Sequence, residues 1–154
     1  MYGPASQAAT ARPPRTPTYP VAVATRRRTT AKQAPADALA GVRAACLALP
    51  EVTERLSHGA PTFFVRGKKT FVMFLDDHHG DGRLAVWCAA PPGVQGQLVG
   101  EEPDRFFVPP YVGGRGWIGV RLDREVDWDE MAGIARDAYR TVAPKSLAAL
   151  VPDG

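Results

Sequence analysis

Three histidines and two cysteines are the side chains of this 154-residue chain best suited to act as nucleophile, general base or metal ligand. A cysteine beside a histidine would supply an activated nucleophile, and a cluster of both would bind a transition metal. Cys46 and Cys88 stand in apolar stretches and form no CxxC pair. The sequence therefore predicts two thiols buried in the core, with neither a disulfide framework nor a zinc ribbon.

His78 and His79 lie in the polar segment 76–82, between two apolar runs that predict a hairpin of antiparallel strands. At about 3.3 Å per residue, Cys88 would lie roughly 13 Å from this turn, so we do not expect it to share a metal with the two histidines. The histidines and three nearby aspartates could collect a divalent ion at the turn itself. Solvated histidines are the commoner case on loops, and no metal site is predicted.

His58 lies in the bend Ser57–Pro61, ahead of the first of these apolar runs. An imidazole in such a bend usually hydrogen-bonds to the backbone, and a role as ligand or general base is the alternative. No set of these residues forms a recognisable catalytic arrangement. The sequence therefore favours a non-catalytic binding protein and predicts no catalytic residue and no cofactor.

The segment Phe106–Trp117 combines four aromatic residues, a proline pair and three glycines with one arginine. Proline fixes φ and glycine permits positive φ, so this run predicts a defined irregular loop that presents large side chains for recognition. A pocket for a small aromatic or anionic ligand could be built from His58, Trp87, Tyr111, Arg115 and Trp117. Buried core positions are the alternative for the two tryptophans.

The positive charge of the chain is concentrated at its N-terminus. Residues 1–36 hold six of the 19 basic residues and none of the 16 acidic ones, so the remainder carries a net charge of −3. An acidic body argues against a broad phosphate-binding surface, whose affinity depends on many Lys and Arg contacts that release counterions. Local basic groups could still contact DNA phosphates, and the candidates are Arg66, Lys68, Lys69, Arg115 and Lys145.

Residues 1–36 are rich in Pro, Ala, Thr and Arg and lack a hydrophobic period, so we expect a disordered basic tail. Within it, Arg26–Arg28 could serve as a phosphate-contacting arm, although a solvated extension is favoured. Residues 37–152 suffice for a single domain with a core. No apolar run is long enough for a membrane span or a signal peptide, which favours a cytoplasmic protein, and we expect a monomer.

The periodicity of apolar residues predicts helices flanking a meander of strands. Asp37 is a candidate N-cap for a helix that Pro50 ends. Short runs rich in Phe, Val and Trp predict antiparallel strands over 62–65, 69–75 and 83–89. Farther along the chain, the pattern predicts a short helix over 93–101, a strand over 117–122, a helix over 128–142 that starts near Asp127 or Asp129, and a final turn over 146–151.

This order of elements predicts an α+β domain in which helices cover one face of an antiparallel sheet and leave the other face available for binding. Six short motifs stand in register across residues 38–150: Ala48-Leu49-Pro50-Glu51, Gly59-Ala60-Pro61-Thr62-Phe63, Val65-Arg66-Gly67-Lys68, Phe106-Phe107-Val108-Pro109-Pro110-Tyr111, Gly119-Val120-Arg121-Leu122 and Ala143-Pro144-Lys145-Ser146-Leu147. Together they resemble the MmcQ/YjbR family of small bacterial proteins. The resemblance implies a CyaY-like fold, also described as a double-wing DNA-binding architecture.

Two functions from different classes follow from the sequence. DNA binding through the five basic residues is preferred, because the family resemblance and the basic groups agree. The alternative is a small-molecule-binding module, or an enzyme of unrecognised type, that uses an aromatic pocket with His58 and Arg115 as its polar groups. The discriminating question is whether Trp87, Tyr111, Trp117 and Arg115 line one concavity or point into separate cores.

Overall fold

A computed structural model describes residues 28–29 and 34–152 of the chain. The predicted basic tail lies almost wholly outside these residues, so the division into tail and domain stays a prediction. In chain order the elements are β1 (Arg28–Thr29), α1 (Pro35–Leu47), β2 (Val52–Ser57), β3 (Ala60–Val65), β4 (Lys69–Asp76), a 3-10 turn (His78–Gly80), β5 (Leu84–Cys88), α2 (Val94–Glu101), β6 (Phe106–Phe107), a second 3-10 turn (Gly113–Arg115), β7 (Ile118–Arg121), β8 (Val126–Asp127), α3 (Trp128–Val142) and α4 (Lys145–Ala148).

Six strands form one antiparallel sheet in the order β2-β3-β4-β5-β7-β6, while β1 pairs separately with β8. The α+β class is therefore confirmed, and the predicted meander corresponds to β3, β4 and β5. The sequence prediction missed β2, which pairs along its whole length with β3. Its side chains are all half-buried or exposed, as is typical of an edge strand, so the local pattern lacks the apolar run that marks an interior strand.

The two long helices begin differently from one another. The predicted N-cap at Asp37 is wrong, because α1 begins at Pro35, whose fixed φ suits the first helical turn, and Ala34 precedes it without a side-chain cap. The start predicted for α3 is confirmed. There the Asp127 carboxylate accepts hydrogen bonds from the backbone N–H groups of Asp129 and Glu130, at 3.0 and 3.3 Å.

Helix α3 packs across β4 and β5 and against α1. Tyr139 is fully buried at the centre of this contact, and its ring meets the edge of Phe71 at a centroid distance of 5.7 Å. Its hydroxyl donates a 2.7 Å hydrogen bond to the carbonyl oxygen of Pro50, between α1 and β2. On α1, the backbone of Gly41 lies against the ring of Trp128, where a Cβ atom would collide with it. Together these contacts fix the helical layer on the sheet.

Side chains of β5 alternate between the two faces of the sheet. Cys88 faces α1, where the thiol of Cys46 lies nearby, and Trp87 therefore faces away from the helices. Residues opposite each other in an antiparallel pair share a face, so Gly119 of β7 lies on the same side as Trp87. This second face, on the side of the sheet away from the helices, includes Trp87 of β5 and Gly119 of β7.

The middle of the second face is covered, contrary to the sequence expectation of a free face. Trp87 is only 2% exposed, because the turn after β4 folds back and places the ring of His78 against it, at a centroid distance of 4.8 Å. On β7, the ring of Phe107 lies directly over Gly119. The turn that carries His78 and the β6 side chain of Phe107 thus cover the middle of this face.

Gly119 gives a direct test of this packing. We expect Gly119→Ala to lower the free energy of unfolding by about 1–3 kcal/mol, because the added methyl group would enter the space of the Phe107 ring. Gly96→Ala in α2 is the matched control: its Cβ atom would meet nothing within 4 Å, so it should stabilise the protein by about 0.5–1 kcal/mol. Urea unfolding measures both, and equal effects of the two variants would contradict the packing described.

Candidate basic groove

Three of the five predicted phosphate-contacting residues line one groove of about 540 Å³. Lys68 ends the turn between β3 and β4, Lys69 is the first residue of β4, and Arg115 comes from the 3-10 turn before β7. The rest of the lining is formed by Thr70, Trp117, Thr141 and Val142. Segments that are far apart in the sequence therefore meet at the end of the sheet where β4 begins.

The β3–β4 turn places the two lysines at the rim of this groove. Its central residues, Arg66 and Gly67, both have positive φ, at 55° and 67°, and the N–H of Lys68 donates to the carbonyl oxygen of Val65 at 3.0 Å. Positive φ at both central positions is typical of the two-residue hairpin turn that matches the twist of the strands. Lys68 and Lys69 follow at once and are exposed.

Arg66 and Lys145, also predicted to contact phosphates, lie outside the groove lining. The Arg66 Nε atom donates a 2.9 Å hydrogen bond to the carboxylate of Glu51, and this partner raises the pKa of the arginine. Lys145 begins α4, next along the chain after α3. The structure therefore brings together three of the five candidates.

Arg115 lies over the ring of Trp117, with 5.2 Å between its guanidinium carbon and the ring centroid. The backbone that carries both residues is held by Gln95 of α2. The Gln95 side-chain amide donates to the carbonyl oxygens of Gly113 and Trp117, at 2.8 and 2.7 Å. Trp117 is only 4% exposed, so it forms a wall of the groove and offers no free ring face for stacking.

The groove is electropositive. No carboxylate belongs to its lining, and among the described residues no salt bridge joins Lys68, Lys69 or Arg115 to an acidic side chain. Three cations and the Thr70 hydroxyl can donate hydrogen bonds to an oxyanion such as phosphate, whereas the Thr141 hydroxyl already donates to the carbonyl oxygen of Asp137 at 2.7 Å. The lining contains no histidine, cysteine or carboxylate, which are the usual general acids, bases and nucleophiles.

A second cavity, of about 250 Å³, lies at the opposite end of β4 and is lined by His58, Gly59, Ala60, Pro61, Phe74, Leu75, Asp76 and His78. The ring of His78 also contacts those of Trp87 and Tyr111, at centroid distances of 4.8 and 6.1 Å. The ligand pocket predicted from the sequence is thus divided: Arg115 and Trp117 line the basic groove, and His58, Trp87 and Tyr111 are grouped around His78. His78 itself was not a predicted ligand residue, because its approach to Trp87 is a tertiary contact without a local sequence signal.

The two cysteines lie away from both cavities and are buried, as the sequence predicted. Burial raises the pKa of both thiols well above the usual value. Within residues 28–29 and 34–152 we find no group of three or more His, Cys, Asp or Glu side chains arranged to hold a metal ion. In the same part of the chain, no helix has the length and apolar character needed to cross a membrane.

The fold and groove define a small α+β domain with an antiparallel sheet and a basic groove at one end. The chain belongs to the YjbR family, whose model matches residues 47–141. The structure is similar to the crystal structure of the Deinococcus radiodurans protein DR2400, a DUF419 domain. The TM-score is 0.60 and the sequence identity 18%, over 79% of this chain and 94% of the other. No curated protein sequence matches the chain.

Thiol reactivity tests the assignment of the cysteines to the core. Because burial raises the pKa values of Cys46 and Cys88, both remain protonated at pH 8, and the thiolate is the reactive form. We expect the native protein to be inert to a disulfide reagent such as DTNB, and two thiols per chain to react after unfolding in guanidinium. Rapid reaction of one thiol in the native protein would contradict this assignment.

The Gln95 contacts predict a local change in stability. Gln95→Leu leaves the carbonyl oxygens of Gly113 and Trp117 without their side-chain donor, so the turn that carries Arg115 should open more readily. We expect trypsin to cleave after Arg115 roughly tenfold faster than in the parent protein. Cleavage after Lys68, in a turn that Gln95 does not contact, is the internal control and should not change. An unchanged rate after Arg115 would show that Gln95 does not hold the turn.

Proposed function

We propose that this protein is a non-catalytic binding protein whose basic groove takes up phosphate groups of DNA. The observation that carries the proposal is the meeting of Lys68, Lys69 and Arg115 around one groove that no carboxylate lines. These cations come from separate segments of a body whose net charge is −3 beyond residue 36. Their concentration at one end of the sheet gives a local field opposite in sign to the charge of the body as a whole.

The groove is suited to contacting the DNA backbone rather than reading bases. Lysine and arginine bind phosphate oxygens through charge-assisted hydrogen bonds, which position a protein on a duplex without reporting its sequence. The buried ring of Trp117 is not available to stack on a base. We therefore infer binding that depends strongly on salt and weakly on base sequence.

A small phosphorylated ligand is the second candidate for the same groove. A volume of about 540 Å³ lies in the range of pockets that hold small molecules, which is roughly 300–1,000 Å³. Such a ligand needs no basic surface beyond the groove, and this suits an acidic body. Both candidates place a phosphate group in the groove. DNA would also extend over the protein surface outside the groove, whereas a small ligand would not.

Fluorescence anisotropy of the full chain with a labelled duplex, measured from 50 to 200 mM salt, tests the proposal. Each phosphate contact contributes about 0.9 to the slope of log affinity against log salt. We expect Lys68→Gln/Lys69→Gln to reduce that slope by about 1.8. The matched control, Arg66→Gln/Lys145→Gln, removes the same charge outside the groove lining and should leave the slope nearly unchanged.

Equal losses in the two double variants would contradict the groove as the DNA site, because the effect would then follow net charge alone. If the full chain does not bind the duplex at 50 mM salt, DNA is excluded and the second candidate is tested with a nucleoside monophosphate by calorimetry. Binding that Lys68→Gln/Lys69→Gln removes and Arg66→Gln/Lys145→Gln preserves would assign the groove to a small phosphorylated ligand. No binding of either probe would overturn the proposed function.

A further inference from the structure

We propose that Tyr111 stacks on an unpaired base of a DNA strand whose phosphates lie in the basic groove, so that the protein prefers single-stranded DNA to a duplex. This inference rests on the proposed function and adds to it the form of DNA that is bound. Tyr111 is the most exposed large hydrophobic residue of the described chain, with 78% of its surface accessible to solvent. Aromatic side chains presented in this way contribute strongly to binding surfaces.

A tight turn holds the Tyr111 side chain in place. The N–H of Val112 donates to the carbonyl oxygen of Pro110 at 2.6 Å, and Tyr111, between them, has a φ of 66°. A three-residue turn with positive φ at its central residue is rare and strained. Such strain persists only where the surrounding structure enforces it, and it is most frequent at functional sites. Because the turn is already formed, stacking on the ring costs little conformational entropy.

One face of the Tyr111 ring is free to stack on a base. Among the described residues, the ring that Tyr111 meets is that of His78, at a centroid distance of 6.1 Å and an interplanar angle of 85°. A perpendicular neighbour covers at most one face of a ring, so the other face is open to solvent. The other aromatic residues of this segment, Phe106, Phe107 and Trp117, are buried. Tyr111 is therefore the one residue of the segment that can offer a ring face to a base.

Tyr111 lies close enough to the groove for one strand to reach both. The N–H of Arg115 donates to the carbonyl oxygen of Val112 at 3.0 Å, and the Cα atoms at the two ends of such a turn are less than about 7 Å apart. With a further 3.8 Å between consecutive Cα atoms, those of Tyr111 and Arg115 lie within about 11 Å of each other. A stacked DNA strand rises about 3.4 Å per nucleotide, so about three nucleotides span this distance.

The charge of the loop suits a DNA strand. No acidic residue occurs between Asp104 and Asp123, so the loop that carries Tyr111 and Arg115 does not itself repel phosphates. A positively charged groove combined with an aromatic side chain that stacks on bases is the usual basis of single-strand binding, and such stacking tolerates any base. In a duplex the bases stack on one another, so a duplex would engage the groove alone.

Fluorescence anisotropy of the full chain with three labelled probes at 50 mM salt tests the proposal. The probes are an oligothymidine strand, a strand of the same length made of abasic nucleotides, and a duplex of that length. We expect oligothymidine to bind about tenfold more tightly than the abasic strand, because only the former has bases to stack. It should also bind more tightly than the duplex, although the higher charge density of the duplex would by itself favour the duplex.

Variants at Tyr111 separate stacking from phosphate contacts. Tyr111→Ala should bind oligothymidine about tenfold more weakly and lose its preference over the abasic strand, whereas Tyr111→Phe keeps the ring and should retain both. Leu56→Ala is the matched control: it removes a side chain that is 69% exposed from β2, at the edge of the sheet opposite β6, and should bind as the parent protein does. Lys68→Gln/Lys69→Gln should weaken the binding of both single strands and keep the preference for bases.

Equal affinity of the parent protein for oligothymidine and the abasic strand would overturn the proposal. A preference for bases that survives Tyr111→Ala, or tighter binding of the duplex than of oligothymidine, would also overturn it. These results would leave the proposed function intact if Lys68→Gln/Lys69→Gln still lowers the salt dependence. If Lys68→Gln/Lys69→Gln and Arg66→Gln/Lys145→Gln weaken binding equally while Tyr111→Ala abolishes the preference for bases, the proposed function alone is overturned.

Discussion

The buried contact of Tyr139 with Phe71 and Pro50 is the interaction on which the rest of the structure depends. Through its ring and its hydroxyl, one side chain ties α3 to β4 and to the connection between α1 and β2. Burial raises the pKa of its phenol, so the hydroxyl remains a donor at any physiological pH. With the helices fixed in this way on one face, the course of the loops determines where concave surface remains.

The segment from Phe106 to Trp117 lines the basic groove and also contacts His78, which lines the second cavity. Its middle brings Tyr111 to the ring of His78, and its end brings Arg115 to the two lysines of the β3–β4 turn. Gln95 bonds to the loop on either side of Arg115. The proline and glycine residues that made this segment conspicuous in the sequence thus shape a backbone that lines the groove with Arg115 and Trp117 and packs Tyr111 against His78.

The sequence predicted the features that depend on local pattern. The meander β3–β5 follows from short apolar runs separated by turn residues, and α3 follows from its apolar periodicity and the Asp127 cap. Strand β2 was missed because an edge strand buries too little to need an apolar run. Asp37 was misassigned because the preference of Pro35 for the first helical turn prevailed over a generic capping preference. The family resemblance, which uses motifs spread along the chain, identified the family correctly.

The candidate sites were only partly accessible to sequence reasoning. Residue types identified Lys68, Lys69 and Arg115 as candidates, but their meeting in one groove depends on the path of the loop before β7. Local pattern likewise gave no reason to separate Arg66, which Glu51 engages, from its neighbours. His78 was placed on a solvated turn, and only the folding of that turn over Trp87 makes it the centre of an aromatic cluster.

The edge strand β2 has a consequence for self-association. Two copies of this strand that paired antiparallel about a two-fold axis normal to the sheet would place residues of the same face opposite each other. In the two registers that pair most of the strand, the axis passes through Glu54 or Arg55, so that residue meets its own copy. Like charges directly opposite each other destabilise a sheet, and charged edge residues are a common protection against edge-to-edge pairing. Arg43 already pairs with the Glu54 carboxylate at 2.8 Å, which weakens the repulsion in the register centred on Glu54. The strand that the hydrophobic pattern failed to reveal therefore opposes self-pairing chiefly through Arg55, in the register where this residue meets its own copy.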